Sequence, residues 1–300
     1  MAALRDIKKK IEAVKKTRQI TRAMNMVAAA KLRQVQEKTE RFRPYASKFG
    51  EVLSSLAQGI DPEIHPLLQE PEEVKRVGLI LLTADRGLCG AFNMNLVTRA
   101  ERFIADCTAK GQEVVLYAIG RRGRDYFRKR EPKPTEAMVG AMNVITFDLA
   151  IKVAKMGLEP FLTGEVQEVY IIYSQFLSML RQLPTVEKLL PIEPAKVAAA
   201  EDEEARELAG PVEYLTEPSA EEILVQLLPK YVNVRVYRAL LETATSEHAA
   251  RLTAMDNASK NCEEMIENLT LAYNKARQAS ITAELMDIVG GAEALRQGAK

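Results

Sequence analysis

The two ends of the chain carry long helical patterns, and the middle carries short apolar runs. Residues 4–43 contain no Gly or Pro and are rich in good helix formers such as Ala, Lys, Arg, Gln and Leu. At about 1.5 Å per residue, such a helix extends about 60 Å, more than a compact core of its own can cover. Pro44 removes a backbone donor, so we expect a break or kink there before helix resumes at Tyr45.

One stretch of this helix, MNMVAAAK at residues 24–31, has almost no polar face. A surface helix ordinarily shows one apolar stripe and one wet side. We interpret one side of the stretch as contacting the C-terminal helix, with Ala28, Ala29 and Ala30 allowing close approach. The remaining sides need another apolar surface.

The last third of the chain predicts a second long helix, from Tyr231 to a stop at Gly290 and Gly291. Alternate steps of four and three along it give a heptad seam, which is typical of a coiled coil. The seam positions are Tyr237, Leu241, Ala244, His248, Arg251, Met255, Ala258, Cys262, Met265, Leu269, Ala272, Ala276, Ala279, Ala283 and Met286. Since many are Ala, the helices can approach closely but each position contributes little apolar burial.

The simplest arrangement is intramolecular, with the two terminal helices winding around each other antiparallel. A homodimeric coiled coil formed by either helix is the competing arrangement. His248, a polar seam residue beside Arg251, is best read as fixing the register of the pair.

Between the helices, three short β-branched and apolar runs at residues 77–83, 113–119 and 168–174 predict buried strands. The intervals between them hold helical candidates such as residues 95–111, so the strands are expected to pair in parallel through crossover helices. The predicted fold class is therefore α plus α/β. A long antiparallel coiled coil flanks a small three-layer α/β domain with a mostly parallel sheet.

The predicted organisation has four parts. Residues 1–58 form the N-terminal long helix, 59–74 a proline-rich linker, 75–210 the central α/β domain, and 211–300 the C-terminal long helix with an entry segment and a short tail. From Glu201 to Glu222 there are nine acidic residues and one Arg, which favours a solvated surface loop with a short strand at VEYL.

Composition limits the chemistry. Lys and Arg number 42 against 41 Asp and Glu, and the three cysteines are far apart, so neither a strong global field nor a disulfide framework is expected. No apolar leader follows the N-terminus and no run is long enough to span a bilayer, which predicts a cytoplasmic chain with reduced thiols. With two histidines and no glycine-rich phosphate loop after a strand, we expect no metal, no cofactor and no catalytic centre.

Two turns offer alternative interpretations. The glycine-containing turn LLTADRGLCGAFN, with Cys89, is read as a tight turn around a buried thiol in preference to a phosphate cradle or a reactive cysteine. The basic segment GRRGRDYFRKR at residues 120–130 is read as a solvated turn that contacts an acidic partner, in preference to an anion or RNA site.

The N-terminal helix is itself basic, with thirteen Lys and Arg against four acids over residues 1–43. A basic coiled-coil nucleic-acid-binding or scaffold protein is therefore an alternative function. It is disfavoured because basic residues occur on all faces and no aromatic residue interleaves with them before Phe42. A second alternative is a stand-alone nucleotide-binding enzyme. It is disfavoured because no phosphate-binding glycine motif follows a predicted strand.

Three blocks carry a resemblance to a known family. IKKKIEAVKKTRQITRAMNMVAAAKLRQ, LLTADRGLCGAFN and above all TSEHAARLTAMDNASKN with LTLAYNKARQASITAELMDIVGGAEAL closely resemble the gamma subunit of the rotary F-type ATP synthase. The resemblance spans nearly the whole chain. It implies a non-catalytic rotor shaft that transmits torque between the membrane c-ring and a hexamer of alpha and beta subunits, with the epsilon subunit as a further partner.

The resemblance also implies where partners and torque act. Met24 is similar to a methionine near an acidic segment of the beta subunit. Arg251, Arg277, Gln278, Thr282 and Glu284 match positions that contact the other shaft helix or a beta-subunit loop. The family places such a chain at the cytoplasmic face of a bacterial plasma membrane, peripheral and bound only through partners, with no nucleic acid. No close cysteine pair matches the redox insert of the chloroplast branch, so thiol-switched regulation is not expected.

Overall fold

The computed structural model describes residues 2–57, 64–193 and 219–298. The chain divides into two compact units, one made of Met1–Val27 with Leu252–Lys300 and the other of Ala28–Arg251. We call these the terminal helix pair and the central unit. Because the units divide both long helices instead of separating them from the sheet, the domain boundaries drawn from the sequence stay a prediction.

Helix α1 runs from Ala2 to Ala57 without interruption, so the break expected at Pro44 is wrong. Pro44 and Glu40, whose carbonyl loses its N–H partner, are both exposed, and solvent can hydrate that carbonyl. Aromatic packing holds the helix on either side of the proline. Phe42 meets Tyr237 edge-on at 4.7 Å between ring centroids, and Phe49 stacks on Tyr231 at 6.3 Å.

In the described part of the chain, five strands form one sheet in the order β3-β2-β1-β4-β5. The strands are β1 (Arg76–Leu82), β2 (Glu113–Ile119), β3 (Pro134–Met138), β4 (Glu168–Phe176) and β5 (Gln182–Leu190). The pairs β1–β2, β1–β4 and β2–β3 are parallel, and β4–β5 is antiparallel. The three strands predicted from apolar runs and their parallel pairing are confirmed, whereas the two edge strands were not predicted.

Helices cover both faces of the sheet and make three layers. They are α2 (Phe92–Ala109), α3 (Arg121–Phe127) and α4 (Phe147–Leu162). Each face of the sheet packs against its own hydrophobic core, and alternate residues of β1 point into the two cores. Ile80 packs with α4 and the long helices, whereas Leu79 packs with α2 and α3. The predicted three-layer α/β architecture is confirmed.

Helix α5 runs from Ala220 to Gly298, so the stop expected at Gly290 and Gly291 is wrong. Neither glycine has the positive φ that a C-terminal glycine cap uses. Ser219 precedes α5, and its hydroxyl accepts a hydrogen bond from the Glu222 N–H at 3.2 Å. The helix thus begins inside the acidic segment; residues 201–218 of that segment, including VEYL, lie outside the described residues.

Candidate functional site: the paired helices and the unpaired helix end

Polar contacts join α1 and α5 within the terminal helix pair. Arg22 Nη2 lies 2.5 Å from Glu263 Oε1, the hydroxyls of Thr21 and Ser259 are 2.8 Å apart, and Asn25 Nδ2 donates to the Leu252 carbonyl at 3.0 Å. As residue numbers rise on α1 they fall on α5, so the helices are antiparallel. The predicted intramolecular pairing is confirmed.

Helix α1 presents a regular heptad seam to this packing. Buried or half-buried side chains recur along it in steps of three and four, with further half-buried residues such as Met24 beside them. The seam positions are Leu4, Ile7, Ile11, Val14, Arg18, Thr21, Asn25, Ala28, Leu32, Val35, Thr39, Phe42, Ala46, Phe49, Leu53 and Leu56.

The seam on α5 coincides with the predicted seam at Met255, Cys262, Leu269 and Ala276, and lies one residue later at the positions between them. After Arg251 a regular series of buried or half-buried positions runs through Met255, Ser259, Cys262, Ile266, Leu269, Tyr273, Ala276 and Ser280, and a few neighbours such as Ala258 are also half-buried. Two successive steps of four, to Met255 and then to Ser259, shift the pattern, as an inserted four-residue step does in a coiled coil. Met265, Ala272 and Ala279, which were predicted to lie in the seam, are exposed.

The apolar stretch at residues 24–31 is only partly covered within the chain. Ala28 is 2% exposed, whereas Met26 is 67% exposed and Ala29 and Ala30 lie on the open side. The expectation that all three alanines permit helix approach is therefore right only for Ala28. Met24 is half-buried, and the exposed methionine and alanines leave an apolar surface without a partner in the described chain.

No described helix pairs with the C-terminal part of α5. Antiparallel pairing that joins Arg22 to Glu263 places the first residues of α1 level with about residue 280 of α5, because both helices rise equally per residue. Every residue from Ile281 to Ala292 is exposed. Large apolar side chains among them are Ile281, Leu285, Met286, Ile288 and Val289.

Four of the residues singled out by the resemblance lie near this end and are exposed. Gln278 and Thr282 follow the half-buried seam residues Ala276 and Ser280 by two positions each. Two positions correspond to a rotation of about 200° around the helix axis, so both side chains face away from α1. Arg277 and Glu284 are one heptad apart on a shared face. Glu284 accepts a hydrogen bond from Ser280 at 3.3 Å.

Arg251 lies elsewhere, in the central unit, and is 8% exposed. Its guanidinium is 2.7 Å from the Glu247 carboxylate, 3.4 Å from His248 Nδ1, and donates to the Gly87 carbonyl at 3.3 Å. Burial, together with the charges of Arg251 and Lys31, lowers the pKa of His248 to about 4, so this imidazole is neutral at pH 7. Burial raises the pKa of Glu247, although Arg251 opposes that shift.

The turn after β1 is held by a buried carboxylate. Asp85 accepts backbone hydrogen bonds from Arg121 at 3.0 Å, Gly140 at 2.8 Å and Met142 at 3.2 Å. Cys89 is buried, and burial raises the pKa of its thiol, which disfavours the thiolate. The interpretation of this turn as a tight turn around a buried thiol is confirmed.

The basic segment forms α3 and the turn after it. Arg124 pairs with Asp125 at 2.6 Å, and the guanidinium of Arg130 lies 3.9 Å from the centre of the Tyr126 ring. Most of its remaining basic side chains are exposed. Its contact with an acidic partner stays a prediction.

Within the described ranges, no helix is long and apolar enough to cross a membrane. In the same part of the chain, no three His, Cys, Asp or Glu side chains converge as metal ligands would. Two long helices that pair with each other, a doubly wound domain and an uncovered apolar helix end define a class of protein built around contact surfaces.

Comparison with known proteins agrees with that class. The ATP synthase family model matches residues 3–295. The ATP synthase gamma chain of Syntrophobacter fumaroxidans is 55% identical over 298 residues, which cover 99% of this chain and 100% of that one. The ATP synthase gamma chain of Nitratidesulfovibrio vulgaris strain Miyazaki F is 49% identical over 296 residues, with 99% and 100% coverage.

Solved structures show the same fold. A chain of the Euglena gracilis mitochondrial ATP synthase, in an assembly of OSCP, F1 and c-ring, superposes with a TM-score of 0.69 at 23% identity, covering 100% of this chain and 96% of that chain. A chain of the central stalk and c-ring of the Tetrahymena thermophila enzyme gives a TM-score of 0.58 at 24% identity, covering 80% and 99%. The chain belongs to the ATP synthase gamma chain family.

Proposed function

We infer that this chain is the central rotor shaft of a proton-translocating ATP synthase. It transmits torque between the membrane c-ring and the catalytic hexamer of alpha and beta subunits. The observation that carries the inference is the uncovered apolar end of α5, in a chain related over its full length to gamma chains. An exposed apolar surface of this kind requires an outside partner.

The exposed apolar end of α5 is suited to rotation inside a surrounding protein surface, as a shaft turns in a bearing. Ile281, Leu285 and Ile288 offer apolar area with few directional bonds, so a surrounding sleeve can hold them while they turn. Gln278 and Thr282 supply hydrogen-bonding groups on the side away from α1. We assign these two residues, with Arg277 and Glu284, to contacts with the surrounding hexamer.

Met24 and Arg251 have different proposed roles. Met24, half-buried beside the exposed Met26, belongs to the part of α1 that meets an acidic beta-subunit segment. Arg251 transmits force without contacting a partner subunit itself. Its charge is already paired with Glu247, and its guanidinium donates a hydrogen bond to the Gly87 carbonyl in the turn after β1.

The chain is a non-catalytic subunit, requires no cofactor, and acts at the cytoplasmic face of a bacterial plasma membrane. Its partners are the alpha and beta subunits, the epsilon subunit and the c-ring, and it reaches the membrane only through them. Catalysis on the hexamer is driven because an asymmetric shaft favours a different conformation of each catalytic subunit in turn.

The test is replacement of the gamma chain in a related bacterial ATP synthase by this chain, with the other subunits unchanged. Co-purification with the hexamer, and ATP-driven proton pumping by the complex in vesicles, are the expected results. A hexamer that couples hydrolysis to pumping equally well without this chain would refute the proposal.

The nucleic-acid alternative has its own measurement. If the basic α1 served DNA or RNA, the isolated chain would bind a duplex with an affinity that falls steeply with salt. We expect no such affinity at physiological ionic strength. Tight, salt-dependent binding in the absence of protein partners would favour the alternative.

A further inference from the structure

Helix α5 crosses the central sheet at the carboxyl ends of two neighbouring parallel strands. The chain leaves β1 in one direction toward β2 and returns on the other side of β1 as β4, so the sheet changes winding direction between β1 and β4. In doubly wound domains, the crevice at this position is where ligands usually bind. Here the segment Thr243–Arg251 of α5 occupies it.

Hydrogen bonds seat the helix in this crevice. The Ser246 hydroxyl donates to the Ser174 carbonyl on β4 at 3.1 Å, and the Ser174 N–H donates to the Thr243 hydroxyl at 3.4 Å. Arg251 donates to the Gly87 carbonyl, in the turn after β1, at 3.3 Å. The helix is thereby joined to β4 on one side of the crevice and to the turn after β1 on the other.

The seat is buried. Thr243 and Ser246 are 0% exposed and Ser174 is 2% exposed. A buried polar group that loses its partner costs more than an exposed one, because water cannot replace the partner. Turning α5 about its axis separates these donors and acceptors, whereas the apolar contacts around them do not depend on direction in this way.

The end of β1, on one side of the crevice, is tied to β2 and α3. Thr83, at the end of β1, donates to the Ile119 carbonyl at 3.1 Å and accepts from the Gly123 N–H at 2.9 Å. Gly120 has φ +96, and a Cβ there would lie 2.0 Å from the Thr83 carbonyl oxygen, so only glycine fits this close approach. These contacts join the end of β1 to the end of β2 and the start of α3.

We propose that this seat is the joint through which torque passes between the α/β domain and helix α5. The seat consists of Ser174, Thr243 and Ser246, with the contact between Arg251 and Gly87. The proposal rests on the rotor function inferred above and assigns to these residues the positioning of the helix against rotation. Occupation of the crevice by the chain's own helix gives the α/β domain a mechanical role.

Two threonines on the same helix provide a matched pair of variants. Thr243 bonds to its own helix and to Ser174. Thr245 is also buried, but among the described residues its hydroxyl bonds only to the Leu241 carbonyl of its own helix, at 2.8 Å. Thr243→Val removes the seat contact, and Thr245→Val removes an equivalent hydroxyl without touching the seat. Thr243→Ser keeps the hydroxyl and serves as the rescue variant.

The measurement is the torsional stiffness of the rotor in the assembled complex. A probe is attached to the α/β domain, the hexamer is fixed to a surface and its catalysis is arrested, and the angular fluctuation of the probe is recorded. Thr243→Val with Ser246→Ala should give a wider angular distribution than Thr245→Val, while Thr243→Ser should match the unmodified chain. Melting temperature is recorded for each complex as a check on general destabilisation.

The outcomes are distinguishable. An equal angular width for the seat variant and Thr245→Val, at equal melting temperature, overturns the torque joint but leaves the rotor function intact. Failure of the unmodified chain to assemble overturns both. If the double variant does not assemble, the single variants Thr243→Val and Thr245→Val decide the question by the same comparison.

Discussion

Thr21 and Ser259, 238 residues apart in sequence, place their hydroxyls 2.8 Å from each other inside the terminal helix pair. Each hydroxyl also lies within hydrogen-bond distance of a carbonyl on its own helix, Arg18 at 3.0 Å and Met255 at 2.9 Å. The two hydroxyl protons are therefore shared among three possible hydrogen bonds, and either residue can act as the donor between the helices. Such a buried polar pair favours one register in an otherwise apolar seam.

The pair predicts a small but coupled effect on stability. Ser259→Ala should lower the free energy of unfolding by about 1 kcal/mol, because Thr21 loses its cross-helix partner but keeps the Arg18 carbonyl. Adding Thr21→Val should cost less than the sum of the two single changes. Denaturant unfolding of the four chains in a double-mutant cycle measures this coupling. Strict additivity would mean that the hydroxyls do not interact.

His248 predicts a pH dependence of stability. Its pKa is lowered to about 4 in the folded chain from 6.5, so the folded state binds fewer protons than the unfolded state between these values. The stabilisation is complete above about pH 6.5 and is lost progressively as the pH falls toward 4. A pKa difference of this size corresponds to a contribution of about 3 kcal/mol to the free energy of unfolding.

His248→Gln keeps a polar side chain and removes the titration. The unmodified chain should lose more stability between pH 7 and pH 5 than this variant, as measured by urea unfolding at each pH. Comparison of the two chains is needed because the raised pKa of Glu247 acts in the opposite direction. Parallel pH profiles would show that His248 does not carry the dependence.

Much of the fold was predictable because the strongest patterns belong to the most buried segments. Strands β1 and β2 are buried at six of their seven positions, so each is a continuous apolar run. The edge strands are different, since β3 is largely exposed and β5 contains Pro184, Glu187 and Lys188. A strand with one free edge tolerates proline and charge, which removes the pattern on which a sequence-based prediction depends.

The helix boundaries and the α5 seam were predicted less well, for a physical reason. Proline and glycine weaken a helix locally, at costs of about 3 and 1 kcal/mol, but packing on either side can outweigh them, as the aromatic contacts around Pro44 do. The environment of Arg251 was beyond sequence reasoning. Its contact with Gly87 joins residues 164 positions apart, and no local pattern encodes it.

The uncovered end of α5 predicts a defect in assembly without a defect in folding. Leu285→Glu and Ile288→Glu replace exposed apolar side chains, so the isolated chain should keep its stability to within about 0.5 kcal/mol. Assembly with the hexamer should fall, because a carboxylate must then be desolvated in an apolar bearing. Asn274→Glu, an exposed change beside the paired helix, is the control.

Yield of the complex in a pull-down and thermal unfolding of the free chain separate the two effects. Truncation after Arg277 should act in the same direction, with impaired assembly and some residual rotation. Normal assembly of both the truncated chain and the glutamate variants would argue against a bearing role for this end.

Met24→Lys tests the contact proposed for the apolar stretch of α1. A new ammonium beside an acidic beta-subunit segment adds an attraction that the shaft must break at every step. We therefore expect proton pumping per ATP hydrolysed to fall while the free energy of unfolding changes little, since Met24 is only half-buried. Pumping in vesicles and hydrolysis are measured on the same preparation.

Met26→Lys is the matched control, because it places the same charge two positions along α1, on the opposite side of the helix and at a residue already 67% exposed. A larger coupling defect at Met24 than at Met26 locates the acidic segment on the Met24 side. Equal coupling ratios for both variants and the unmodified chain would contradict the contact. Ala29→Glu extends the test to the open side of the stretch, where a carboxylate should reduce turnover if a smooth apolar surface is what permits rotation.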